Sequence, residues 1–355
     1  MISRRRFVRD SVLATAGLSL LPATGAWAES LPQHAYLSFD LHAHPGAFFN
    51  KGRPAYAGDD AVRKTITAMR DAQLTGAFFS LVADAPLIEL TPTGVEVHGA
   101  YVAGEGAREY QRQLTILTEL LKTSPAFLAT RSSDLLRAQR DGRVAAFLAC
   151  EGGEFLEGKP ERVDQLYADG VRSLQLVHYA PSALGDLQTH APQHGGLSAL
   201  GKAVVKRLTA VGMVIDVAHA SFETVRDVAS LTSAPIILSH SILKMRDDRP
   251  LAARAITEEH ARLIAKTGGV IGAWPSGFNA SFDEFVDNTM RLIDVVGIAH
   301  VGLGTDMDGN FKPVLGSYAQ LGAWASALRS KGLSDGEVAQ VMGGNVQRVL
   351  QHVVG

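Results

Sequence analysis

Short apolar runs alternate with longer amphipathic stretches along most of the chain. The apolar runs fall at residues 36–41, 76–82, 144–150, 173–177, 213–217, 235–238, 269–273 and 300–304, and most are rich in Val, Ile, Leu and Phe. Several are apolar at successive positions rather than at every second one. That is the mark of strands covered on both faces in a parallel sheet. Between them, residues 61–72, 104–121, 198–211, 257–266 and 283–296 read as helices. Thr257, Glu258 and Glu259 open one of these with capping-type residues. Eight such units predict an α/β fold, a (β/α)8 TIM-type barrel. An open doubly wound sheet would show the same alternation, but no glycine-rich dinucleotide turn follows the first strand. The longest intervening segment, 84–142, is expected to hold an extra loop besides its helix.

The first 28 residues read as an address rather than as structure. Ser3-Arg4-Arg5-Arg6-Phe7-Val8 resembles a twin-arginine export signal, residues 11–21 are apolar, and Ala26-Trp27-Ala28 offers a small-x-small cleavage pattern. The apolar stretch is too short to cross about 30 Å of hydrocarbon. A signal peptide over 1–28 and a single domain over 29–355 are therefore expected. The protein should be exported, to the periplasm, with the twin-arginine machinery as a transient partner.

Composition narrows the chemistry. With 46% hydrophobic and 20% charged residues, disorder is excluded as the main state. The net charge of −2 becomes −5 once four arginines and one aspartate leave with the signal. Such a balance gives no electrostatic footprint for nucleic acid. One cysteine excludes a disulfide framework and a thiolate metal site. Twelve histidines direct attention to nitrogen and oxygen ligands instead.

Polar residues gather where the apolar runs end. His42 and His44 follow the first run and Glu151 the third. His178, His219 and His240 follow the fourth, fifth and sixth, and Asp306 the eighth. In a parallel barrel every strand's C-terminal end opens on one face, where active sites lie. Two histidines spaced by one residue point to the same side of a strand. With two more histidines and a bridging carboxylate they make a donor set suited to two zinc ions. Two ions can hold a hydroxide between them and polarise a carbonyl, with Asp306 accepting and returning the proton.

These segments resemble the renal or membrane dipeptidases, a metallopeptidase branch of the amidohydrolase-like barrels. The resemblance rests on Cys150-Glu151-Gly152-Gly153, Leu176-Val177-His178, the stretch from Gly196-Leu197-Ser198 to Val214–Ser221, Leu238-Ser239-His240-Ser241, His300–Gly309, and Gly343-Gly344-Asn345. It implies that His42 and His44 hold one zinc, that Glu151 bridges, and that His219 and His240 hold the second. It further implies that His178 steadies the oxyanion and that Arg254 receives the substrate carboxylate, with Arg246 and Arg249 as rivals. One departure stands out: the family carries HxD after the first strand, and here it is His42-Ala43-His44. The neutral histidine makes the site less negative by one charge.

The expected function is an exported zinc dipeptidase acting by metal-held hydroxide on a small dipeptide or peptide-like substrate. The resemblance also implies tolerance of D-residues at the C-terminal position. Another amide or ester hydrolase on this scaffold, such as one maturing a peptide natural product, is the first alternative. A non-catalytic binding barrel is the second. A homodimer is left open. His34, His98, His190, His194, His260, His300 and His352 read as structural or exposed, and Asp308 as a turn residue.

Overall fold

The structure, a computed structural model, describes residues 36–91 and 94–355. The expected signal over 1–28 and His34 lie outside the described residues. The strands are β1 (Phe39–Ala43), β2 (Gly76–Val82), β3 (Ile88–Thr91), β4 (Gly94–Val97), β5 (Ala126–Leu128), β6 (Val144–Glu151), β7 (Val171–Gln175), β8 (Val214–Asp216), β9 (Ile237–Ser241), β10 (Val270–Ala273) and β11 (Val301–Leu303). Eight of them form one parallel sheet in the order β2-β1-β11-β10-β9-β8-β7-β6. The sheet closes on itself where β6 pairs with β2, from Ala145 opposite Gly76 to Glu151 opposite Val82. This is the (β/α)8 barrel that the alternation predicts.

Helices surround it: α1 (Asp59–Asp71), α2 (Glu105–Lys122), α3 (Asp134–Asp141), α4 (Arg162–Ala168), α5 (Ala199–Val211), α6 (Phe222–Leu231), α7 (Glu258–Lys266), α8 (Phe282–Val296), α9 (Leu321–Ser330), α10 (Asp335–Ala339) and α11 (Asn345–Val353). Five of them start at a hydroxyl cap. Ser198, Ser221, Thr257, Ser281 and Ser334 each accept from the backbone N–H three residues on, satisfying a donor that the first turn leaves free. Among the described residues no helix is long and apolar enough to cross a membrane.

The segment 84–142 holds more than a loop and a helix. It forms the β3–β4 hairpin, α2, the short strand β5 and α3. β5 adds to the lower part of β6, from Ala126 opposite Val144 to Leu128 opposite Ala146. Strands of three or four residues leave too short an apolar run to stand out in the sequence.

Alternation along β6 explains why the site lies inside the barrel. Ala145, Phe147 and Ala149 fill the interior with Phe39 and Phe78, while Val144, Ala146, Leu148 and Cys150 pack against the helices. The Phe39 ring lies 5.2 Å from that of Phe78 and 5.7 Å from that of Phe147, sealing the lower barrel. Glu151 continues the inward series one step above Ala149.

Two irregularities re-aim the histidines. Between Asp40 and Ala43, β1 carries one more residue than β2 opposite. Between Leu238 and Ser241, β9 carries one more than β10. A bulge of this kind turns the following side chains to the other face. Glycine makes room for the second. A Cβ on Gly272 or Gly304 would lie 1.8 or 1.9 Å from the Ser239 carbonyl oxygen.

His260, on α7, is a core residue rather than a site residue. It is buried, its Nε2 has no partner, and burial alone pushes its pKa down to about 4. The unfolded chain therefore binds a proton here that the folded one refuses, so stability falls as pH drops below about 6.5. A His260→Leu variant should lose about 2 kcal/mol less than wild type between pH 7 and pH 5, measured by urea unfolding at both pH values.

Candidate metal centre and substrate pocket

The eight residues singled out in the sequence meet at the C-terminal end of the barrel. His42 Nε2 and His44 Nε2 are 3.0 Å apart. Glu151 Oε1 lies 3.2 Å from His42 Nε2, and its Oε2 lies 3.3 Å from His44 Nε2. Across the barrel, His219 Nε2 and His240 Nε2 are 3.1 Å apart, at 3.6 and 4.0 Å from Glu151 Oε1. Glu151 thus joins two triads, His42–His44–Glu151 and Glu151–His219–His240, each able to hold a metal ion. The donors fit such an ion. Donors at the zinc–nitrogen distance of about 2.0–2.1 Å sit roughly 3.3 Å apart around a tetrahedron. All five side chains are buried, which keeps water from competing for the lone pairs.

Three further groups face the triads. Asp306 Oδ1 lies 3.4 Å from His44 Nε2. His178 Nε2 lies 3.3 Å from Glu151 Oε1. Arg254 Nη1 lies 2.7 Å from His219 Nε2, while its Nη2 is buried without a partner. Its guanidinium carbon stands 5.3 Å from the Trp274 ring centre and 5.9 Å from that of Tyr179. The rival arginines are elsewhere: Arg246 pairs with Asp248, and Arg249 with Glu284. His219 and Asp306 both have positive φ, 66° and 53°. For a non-glycine residue this conformation costs about 1–2 kcal/mol, and such strain concentrates at functional sites.

Known proteins place this arrangement. The family model for the membrane dipeptidases, peptidase family M19, matches residues 33–354. The chain belongs to the membrane dipeptidase family. Dipeptidase verJ of Clonostachys rogersoniana is 28% identical over 259 residues, 70% of this chain and 66% of that protein. Dipeptidase aclJ of Aspergillus oryzae is 28% identical over 267 residues, 70% of this chain and 62% of that protein. The match therefore spans somewhat less than two thirds of each of these relatives. The fold is also that of a metallo peptidase from Rhodobacter sphaeroides, solved with a phosphinate mimic of the dipeptide L-Ala-D-Ala. The TM-score there is 0.76 at 19% identity, covering 90% of this chain and 99% of that one.

Proton states in this family member follow from the crowding of charges. Burial opposes ionisation of Glu151, but His178, His42 and the hydrogen bonds of His42 and His44 outweigh it and hold its carboxyl well below the usual range. Burial also opposes protonation of His44, yet its hydrogen bonds to Asp306 and Glu151 push it up to about 10. His219 and His240 go the other way. Burial first, then Arg254 and His178 for His219, and His42 and Arg254 for His240, hold them well below their ordinary value. Both stay neutral at pH 7, as a metal ligand must, whereas His44 has to give up its proton before it can hold an ion.

Sequence reading missed the residues that stand behind these. Asp84 is fully buried two residues past β2. Its Oδ1 accepts from His178 Nδ1 at 2.6 Å, and its Oδ2 accepts the backbone N–H groups of Tyr179 and Ala180 at 3.1 and 2.8 Å. Burial disfavours a charged His178, but Asp84 and Glu151 prevail and raise its pKa. The form with both N–H groups leaves Nε2–H free to donate. Gln188 does similar work for Arg254. Its Oε1 accepts from Nε at 3.3 Å, and its amide nitrogen donates to the carbonyls of Arg254 and Ala255, both at 3.4 Å. The strand-end rule that singled out Glu151 also reaches Asp84. No local signal reaches Gln188.

The remaining histidines among the described residues lie outside the triads. His98 faces Glu89 and Glu96 on the surface, His194 reaches the Ser182 carbonyl, and His300 reaches that of Gly269. His190 and His352 are exposed. Asp308 accepts from the Gly46 N–H and the Thr65 hydroxyl, both at 2.6 Å, and so ties its loop to the segment after β1 and to α1.

Proposed function

We propose that the protein is a zinc-dependent dipeptidase that hydrolyses the amide bond of a small dipeptide with a free C-terminal carboxylate. The observation that carries this reading is the unpartnered, buried Nη2 of Arg254 beside two metal-binding triads that share Glu151. His42 and His44 would hold one ion and His219 and His240 the other, with Glu151 between them. Bound there, zinc supplies Lewis acidity and lowers the pKa of water. The protein's own groups do the rest. Arg254 binds the carboxylate through a charge-assisted contact from Nη2 and so fixes the amide over the triads. His178 donates from Nε2 to the carbonyl oxygen as charge develops there. Asp306 takes a proton from the attacking water and returns it to the leaving amine.

Export through the twin-arginine machinery belongs to the same reading and is supported by Ser3–Val8, the apolar stretch 11–21 and Ala26-Trp27-Ala28. The non-catalytic alternative is disfavoured because no ligand is missing and Asp306 stands beside His44.

A panel of L,L and L,D dipeptides tests the proposal, each alongside its C-terminal amide. The zinc-loaded protein should cleave free dipeptides and spare the amides. Arg254→Met should raise KM by about 10- to 100-fold, the size of one lost hydrogen bond between charged groups, with kcat little changed. Absence of turnover across the panel would sink the dipeptidase reading and favour another amide or ester substrate.

A further inference from the structure

The two triads are joined from behind by a single hydroxyl. Ser239 precedes His240 on β9, in the stretch carrying the extra residue. Its Oγ lies 3.0 Å from His240 Nδ1 and 3.3 Å from His42 Nδ1. The Asp216 carboxylate holds the same residue by its backbone. Its Oδ1 accepts the backbone N–H groups of Ser239 and Ala218, both at 3.0 Å. Ser239 and Asp216 are both buried.

An imidazole that offers Nε2 to a cation carries its proton on Nδ1, and what Nδ1 bonds to sets the ring's tautomer and orientation. A hydroxyl has two acceptor sites and one proton. Ser239 can therefore accept N–H from both histidines at once. His42 belongs to one triad and His240 to the other. No other side chain among the described residues makes hydrogen bonds to ligands of both triads from behind. Ser80 serves only the first: its Oγ lies 3.3 Å from His42 Nδ1, and its carbonyl 2.9 Å from His44 Nδ1. On the other side, His219 Nδ1 is buried without a partner.

We propose that Ser239, backed by Asp216, is the positioning residue shared by both ion positions, so that a change at this one hydroxyl reaches both. The inference rests on the two-ion reading above. Zinc titration of the metal-free full chain, in competition with a chelator of known affinity, tests it without reference to turnover. Wild type should show two binding steps. Ser239→Ala should move both to weaker binding, by about 10- to 100-fold. The shift should be larger for the His240 step, since His42 keeps Ser80. Ser80→Ala should move one step only, which labels the step belonging to His42. Asp216→Asn keeps the hydroxyl but removes the charge that holds the Ser239 backbone, and should move both steps in the same direction. Thermal unfolding of the zinc-free forms checks that each variant folds, and Asp216→Asn decides if Ser239→Ala does not. Two wild-type steps with either one unmoved in the folded variants would overturn the shared role and leave the two-ion reading standing. A single wild-type step would overturn both.

Discussion

Glu151→Gln should strip the protein of zinc and lower dipeptide kcat/KM by about 10³-fold or more, the several kcal/mol that a Lewis acid contributes. Glu151 is the only carboxylate shared by both triads. Its oxygens lie 3.2 to 4.0 Å from Nε2 of His42, His44, His178, His219 and His240. The amide matches the carboxylate in size but carries no charge, so two cations would face a neutral cluster. His44 sharpens the effect, because an aspartate at that position would have left a second negative ligand. Elemental analysis beside a dipeptide assay is the measurement. A variant that keeps two zincs per chain and full activity would remove Glu151 from the metal centre. Circular dichroism of the zinc-free variant separates loss of metal from loss of fold.

Asp306→Asn should leave zinc content unchanged and lower kcat by about 10²- to 10⁴-fold, the usual contribution of a positioned acid or base. The substitution suits the backbone. Asp306 has φ 53°, a conformation that asparagine adopts more readily than most residues. Its backbone N–H bonds to the His42 carbonyl at 2.9 Å, and its own carbonyl accepts from Gly309 at 3.0 Å, so the loop survives the change. What asparagine cannot do is take up and return a proton. KM should move little, since Arg254 and not Asp306 is assigned to the carboxylate. A kcat within about threefold of wild type would exclude Asp306 as the proton carrier.

The barrel was legible because burial on both faces leaves a local trace. β2 spans Gly76–Val82, as its apolar run predicts. β1 was harder. It spans Phe39–Ala43 rather than 36–41, and it includes His42. Asp40 lies within the predicted run and His42 reads as following it, yet both are buried inside the strand. Asp40 is accommodated by Thr305 and Tyr318, residues more than 260 positions away in the chain. Only a buried network satisfies a carboxylate in such a place, and a network of that reach leaves no trace in a local pattern. The same holds for Asp84, whose partners are at 178–180.

By itself the sequence determined the order of strands and helices and the chemistry of the donors. Both are properties of short stretches: hydrophobic period for the elements, and side-chain type at strand ends for the ligands. Tertiary structure decided how those donors face one another. The extra residues in β1 and β9 accompany the inward turn of His42, His44 and His240. Closure of β6 on β2 completes the ring in which Glu151 stands between the triads. Among three arginines close in sequence, packing beside Trp274 and Tyr179 brought Arg254 to the site, while Arg246 and Arg249 found carboxylates elsewhere. These outcomes depend on register, and register is set by pairing between strands remote in the chain.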